Sequence, residues 1–307
     1  MQILDIYEAF WLDIFSNHKL SNKNLKFKLF NGFELLIYWL CVPVGKLLLE
    51  VPSLILGTIS SLMVLIAWYY GILVMAMAAI GETDKFFGQP LPNGWSEVIG
   101  NLGSHIGGLS VWLVISIIMS FLPVDQAIDR AYFVKKYLVT NAAGIKLRSK
   151  IRQRILPVIE DVLSNYEQVT VLSHSFGVII STDILADYHH HKLISLISLG
   201  SPLKILSYKE RWINQEIAKC LKNQKIISWR DYYSHQDWLA ARTPQPRGAE
   251  LTKIESEEMP IYSYFWERLA GKTHLAYLYH PTWVKKALLK KYIQSGLDCR
   301  LSVGVRP

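Results

Sequence analysis

Cysteine is scarce in this chain: Cys41, Cys220 and Cys299 are three among 307 residues and stand far apart. Such spacing offers neither a disulfide framework nor a metal-ligand pattern, and it fits a reducing compartment in which each thiol is a small buried apolar group. A short apolar core near Met1 is also missing. Asp5, Glu8 and Asp13 interrupt the first residues and Lys19, Lys23, Lys26 and Lys28 follow. This argues against a cleaved leader and for a short amphipathic helix at a membrane surface. The net charge of +8 comes without any aromatic-basic nucleic-acid motif, so an anionic bilayer is the expected partner and nucleic acid is not.

Charge is absent altogether from Val51 to Ile80 and again from Val98 to Val124. Each run is long enough to cross a hydrocarbon layer about 30 Å thick at about 1.5 Å per residue. Spans are therefore expected at about 53–80 and 103–123. The apolar segment 33–49 is broken by Glu34 and Lys46 and stays ambiguous between an interfacial, re-entrant or buried element and a third span. The linker between the firm runs is rich in Gly and Pro and mainly acidic, whereas Arg130, Lys135, Lys136 and Lys146 follow the second run. That asymmetry predicts that the C-terminal half faces the cytoplasm. His105, alone in an apolar run, reads as an interfacial or packing residue.

Residues 1–124 are thus expected to form a multi-pass membrane module, and 125–307 a separate domain. In the latter, Ile151, Ile155, Val158, Ile159, Val162 and Leu163 make a helical stripe, with a kink predicted at Pro157. Residues 131–139 fit either an edge strand or a helix. Apolar runs at 169–172 and 193–199 and the segment KIISWRDYYS read as strands, with helices predicted to about Tyr188 and over about 209–221. Strands alternating with helices imply an α/β fold with a parallel sheet and function at the carboxyl ends of its strands.

The stretch VTVLSHSFGVIIS, residues 169–181, organises that domain. A β-branched strand stops at small and polar residues and a helix starts at once, with Ser175 at the turn between Ser173 and Gly177. In a nucleophile elbow the central Ser projects from a strained strand-to-helix turn, and its flanking positions are small because backbone and helix crowd them. The pattern here is S-x-S-x-G where G-x-S-x-G is usual. The backbone N–H of Phe176, at the helix start, would face a developing oxyanion.

The order of this elbow, ISLGSPL, ISWRDYYSHQDWL and THLAY, followed by an amphipathic terminal helix, resembles the serine lipase/esterase side of the α/β-hydrolase superfamily over about residues 125–295. The resemblance implies a triad in the order Ser, acid, His: Ser175, Asp237 and His274. Asp231 competes for the acid and His280 for the base. His174 fills a place where the family often has His, or is a structural strand-end residue. His189, His190 and His191 read as a solvated loop, since consecutive side chains do not converge on one ion, and His235 lies too close to Asp237 to be an obvious member.

The implied activity is cleavage of an acyl ester through an acyl-enzyme, with no metal and no cofactor. The family's earlier strands and its His-Gly-type loop, which supplies a second oxyanion donor, have no counterpart between Asp125 and Glu167, so an abbreviated sheet is expected. A membrane module beside such a site favours a lipid-like or acylated small molecule as substrate. The competing expectation is a catalytically silent, membrane-anchored binding or scaffold module. Residues 256–270, rich in aromatics, are expected to form core or an apolar lip over the site.

Overall fold

The computed structural model describes residues 5–16, 124–246, 254–269 and 271–280, with shorter stretches at 34–35, 37–38, 44–55, 57, 59, 63, 69–71, 85–86, 89–90, 94–95, 97–99 and 101. The chain divides into two compact units, one of Met1–Gly57 with Asp129–Pro307 and one of Thr58–Ile128. The sequence set a boundary at 124/125, but packing groups the first 57 residues with the sheet. In the second unit, β1 (Lys85–Phe86) pairs antiparallel with β2 (Gln89–Pro90). Among the described residues no helix is long and apolar enough to cross a membrane. The run 103–123 lies outside the described residues, as does most of 53–80 and the expected terminal helix beyond His280. The expected transmembrane helices therefore find no support in the structure.

The first unit contains α1 (Leu12–Ser16), α2 (Val44–Glu50), α3 (Val124–Leu138, from Asp129) and α4 (Ala142–Asn165) ahead of its sheet. Residues 131–138, open between strand and helix in the sequence, are helical. Tyr137 is wholly buried there and donates its hydroxyl to Asp183 Oδ2 at 2.8 Å. The Asn141 side chain caps α4 by accepting from the Gly144 N–H at 3.0 Å. The buried positions 144, 147, 151, 155 and 163 trace one face, and Pro157 lies inside α4 without ending it.

Next come β3 (Val169–His174), α5 (Phe176–Leu185), β4 (Ile194–Leu199), α6 (Leu203–Ser207), α7 (Trp212–Lys222), β5 (Ile226–Tyr233) and β6 (Ile254–Glu258). The four strands pair in parallel in the order β3-β4-β5-β6, so each crossover joins neighbouring strands. Central β4 is almost continuously apolar and buried, as a strand covered on both faces must be. Among the described residues β3 pairs with β4 alone, and Thr170 and Leu172 on it are exposed.

One core joins Ile14 of α1 and Phe133 of α3 to Ile151, Ile179, Leu196, Ile217 and Trp229. Phe176, just past the elbow, packs against this core, with its ring 5.8 Å from Phe133 and 5.2 Å from Tyr137. Cys220 is buried there, and burial pushes its thiol up. Cys41 and Cys299 lie outside the described residues. After β6 the chain forms α8 (Phe265–Leu269), α9 (Thr273–Ala276) and a 3-10 turn (Tyr277–Tyr279).

Candidate active site

The site forms where β3, β4 and β5 end. Ser175 follows the last residue of β3 and has φ 57° and ψ −128°, and it is the one non-glycine residue with positive φ among the described residues. This conformation costs on the order of 1–3 kcal/mol and persists because both sides of the turn are tied down. The Ser175 N–H donates to the Leu199 carbonyl at 3.0 Å, and its own carbonyl accepts from the Val178 N–H at 3.0 Å. The Ser175 side chain is half-buried. Phe176 opens α5, so its N–H has no carbonyl one turn earlier in the helix to bond and belongs to the positive end of the helix.

The flanking residues depart in part from expectation. Ser173 is buried on β3, opposite Ser198 of β4. A side chain at Gly177 would meet nothing within 4 Å, so crowding is not what requires glycine there. The glycine crowded against the triad is Gly200, at the end of β4, with φ 58°. A Cβ on it would lie 2.8 Å from Tyr277 Cε2 and 3.2 Å from His274 Cε1. Only a residue without a side chain leaves room for both rings at that turn.

Asp237 stands in the turn that follows β5, where its N–H donates to the Ser234 carbonyl at 3.1 Å. Its Oδ1 accepts from the Leu239 N–H at 2.9 Å. With Asp237 as an acceptor, His274 Nδ1–H donates to Oδ2 at 2.7 Å. Nε2 is then the basic nitrogen, and the Ser175 hydroxyl donates to it at 2.6 Å. Ser175, His274 and Asp237 thus form one hydrogen-bonded chain, with the aspartate and the histidine buried and the serine reachable.

Two neighbours hold the imidazole. His174 Nε2–H donates to the His274 carbonyl at 2.8 Å, and the two rings lie 4.9 Å apart. Burial, and then the nearness of His274, lowers the pKa of His174, so the neutral ring is favoured. Tyr277 is buried against both imidazoles, and burial followed by the Asp237 charge keeps its phenol protonated.

Asp231, the other candidate acid, points elsewhere. Its carboxylate accepts from Ser198 Oγ at 2.7 Å, the Thr243 N–H and Oγ1 at 2.8 Å each, and Ser256 Oγ at 3.2 Å. It braces β4, β6 and the loop at Thr243, and burial raises its pKa. His280 follows the 3-10 turn, and its N–H reaches the Tyr277 carbonyl at 3.4 Å. His235 lies 3.6 Å from Glu258, on the exposed side. His190 and His191 stack on each other in the loop before β4. A cavity of about 420 Å³ opens farther along the sheet edge, lined by residues including Glu50, Lys204, Ser234, Arg242 and Thr243. None of Ser175, His274 and Asp237 lines it.

The His174 bond, the Asp231 brace and strand β6 are absent from the sequence reading. A G-S-P turn at the end of an apolar run was the available signal for Gly200. Nothing local marks IESEE as a strand, because its three glutamates lie on an exposed edge and its place is set by pairing with β5.

A parallel α/β sheet with a serine, a histidine and an aspartate hydrogen-bonded in series beyond its strand ends is an arrangement suited to nucleophilic chemistry. No protein-family pattern, curated protein or solved structure matches the chain.

Proposed function

We propose that this chain is a membrane-anchored serine hydrolase of the α/β-hydrolase type that cleaves acyl esters of a lipid-like or acylated small molecule. The observation that carries the reading is the unbroken series from Ser175 Oγ to His274 to Asp237, at 2.6 and 2.7 Å, on a strained turn that leaves the hydroxyl reachable. Inert serine turns have no need of such strain.

In this mechanism Ser175 Oγ attacks the ester carbonyl carbon while its proton passes to His274 Nε2. Asp237 holds the imidazole in the reactive tautomer and stabilises the imidazolium. The oxyanion lies at the start of α5, where the Phe176 N–H donates to it, and one such donor is worth about 10²–10³ in rate. The C–O bond then breaks as Nε2 returns the proton to the leaving oxygen, leaving an acyl-serine. Water attacks that ester and gives a proton to Nε2. Collapse frees the carboxylic acid and restores the Ser175 hydroxyl.

The two uncharged runs of the sequence support anchoring in a bilayer, and the basic residues after the second support a cytoplasmic position for the sheet unit. Labelling of the full chain in membranes with a fluorophosphonate probe tests the activity. Label on the wild type that disappears in Ser175→Ala and His274→Ala is the expected result. Folded wild type that takes no label would favour the silent binding module, which the lack of an assigned second oxyanion donor also favours.

A further inference from the structure

The segment that leads from β6 to His274 and beyond carries large aromatic side chains outward. Tyr262 is 85% exposed, Tyr264 82%, Trp266 74% and Tyr279 83%, with Phe265 and Leu278 also exposed. Single exposed aromatics are ordinary on any surface, but these are grouped by the backbone. Ile261 and Tyr277 are buried in one small core cluster with Leu199 and Tyr232. Tyr262 and the pair Leu278–Tyr279 therefore leave that cluster from adjoining anchors. The segment between is also held, because the Ser263 N–H donates to Gln236 Oε1 at 2.9 Å and Trp238 Nε1–H donates to the Arg268 carbonyl at 2.6 Å. Both bonds tie it to the turn that carries Asp237.

We propose that this aromatic rim is a docking surface for the lipid–water interface of a bilayer, seating the mouth of the candidate site on the membrane. The choice of occupant follows from the side chains and from the chain itself. Tyrosine and tryptophan combine an apolar ring with a polar tip and favour the depth at which hydrocarbon meets water. Arg268 and Lys272 stand in the same segment, while Glu267 turns back to accept from the Tyr264 N–H at 3.0 Å. On the proposed anchoring, the uncharged runs 51–80 and 98–124 would bring a bilayer to the protein without a second partner. The inference rests on the serine-hydrolase reading for what the rim delivers, and on the rim together with the two uncharged runs for where it docks.

The test uses the full chain reconstituted in phosphatidylcholine vesicles, with or without bromine on the acyl chains near the headgroup. The emission of Trp266 is taken as the difference between wild type and Trp266→Phe. Brominated lipid is expected to quench that difference, and a difference equal in both lipids overturns the proposal. A second arm compares wild type with Tyr264→Ser/Phe265→Ser/Trp266→Ser. Labelling by a soluble fluorophosphonate should stay within about twofold, while turnover of a long-chain ester in the same vesicles falls about tenfold or more, as local concentration at the surface is lost. Unchanged vesicle turnover in a variant that still labels also overturns it. Should the variant lose label and turnover together, the quenching result decides. Wild type that never labels refutes the hydrolase reading and leaves the quenching test of the rim intact.

Discussion

Two buried aspartates stand six positions apart, and exchanging each in turn should separate chemistry from stability. In Asp237→Asn the side-chain oxygen still accepts from the Leu239 N–H, now bonded at 2.9 Å, so the turn keeps its shape. The new amide nitrogen instead donates to His274 Nδ1, and the ring proton moves to Nε2, where it confronts the Ser175 hydroxyl. No basic nitrogen remains to take the serine proton. Loss of the right tautomer costs about 10⁴ in rate, or about 5.4 kcal/mol of barrier. The accompanying change in stability should be about 1 kcal/mol or less, since both hydrogen-bonding positions remain occupied. Asp231→Ala should do the reverse. Ser198 Oγ still accepts from Trp229 Nε1–H at 3.0 Å and hydroxyls can rotate, but the Thr243 N–H is fixed and loses its acceptor at 2.8 Å. A stranded buried donor costs about 1–3 kcal/mol, and with the space left behind the net loss should be about 2–3 kcal/mol. The assay pairs the rate of fluorophosphonate labelling with urea unfolding followed by tryptophan emission. Asp237→Asn that labels at the wild-type rate, or Asp231→Ala that is folded but unlabelled, would refute the assignment of the two roles.

Gly200→Ala should force the backbone at φ 58° into a conformation costing about 1–2 kcal/mol and drive a methyl group into Tyr277 and His274. The expected result is a loss of that order in urea, with labelling slowed much more than stability falls; unaffected labelling would show that the imidazole is not held there. His174 gives a pH signature. Its folded pKa lies below the unfolded value of 6.5, so the unfolded chain takes up the proton first as pH falls. Stability from this group is full above about 6.5 and is lost as pH falls towards the depressed folded value. His174→Gln keeps a donor for the His274 carbonyl and does not titrate, so its stability should change less between pH 7.5 and 5 than the wild type's. His174→Leu leaves the carbonyl without that donor and should slow labelling where the glutamine variant does not.

The parallel arrangement was legible because a β-branched run at 169–172 and an apolar run at 193–199 are bounded by small residues, and this signal is local. The order Ser175, Asp237, His274 came from the resemblance, which put Ser175 and Asp237 after strands; His274 lies inside the short helix α9. What escaped was set by partners distant in the chain. Strand β6 is polar along its exposed edge, and only its register against Trp229–Tyr233 makes it a strand. The choice between Asp231 and Asp237 depends on what each carboxylate meets: Asp231, within β5, is held by Ser198, Thr243 and Ser256, and Asp237, in the turn beyond, meets His274. Gly177 looked like the crowded position by analogy of pattern, whereas crowding falls at Gly200, where two rings from a segment more than seventy residues later come to rest.

The strands lie side by side in chain order, and Ser175, Asp237 and His274 leave the ribosome in the order of their positions. A nascent chain that has already folded its elbow holds Ser175 without this hydrogen-bond partner until position 274 appears. The hydrogen-bonded series is therefore completed in a single late event.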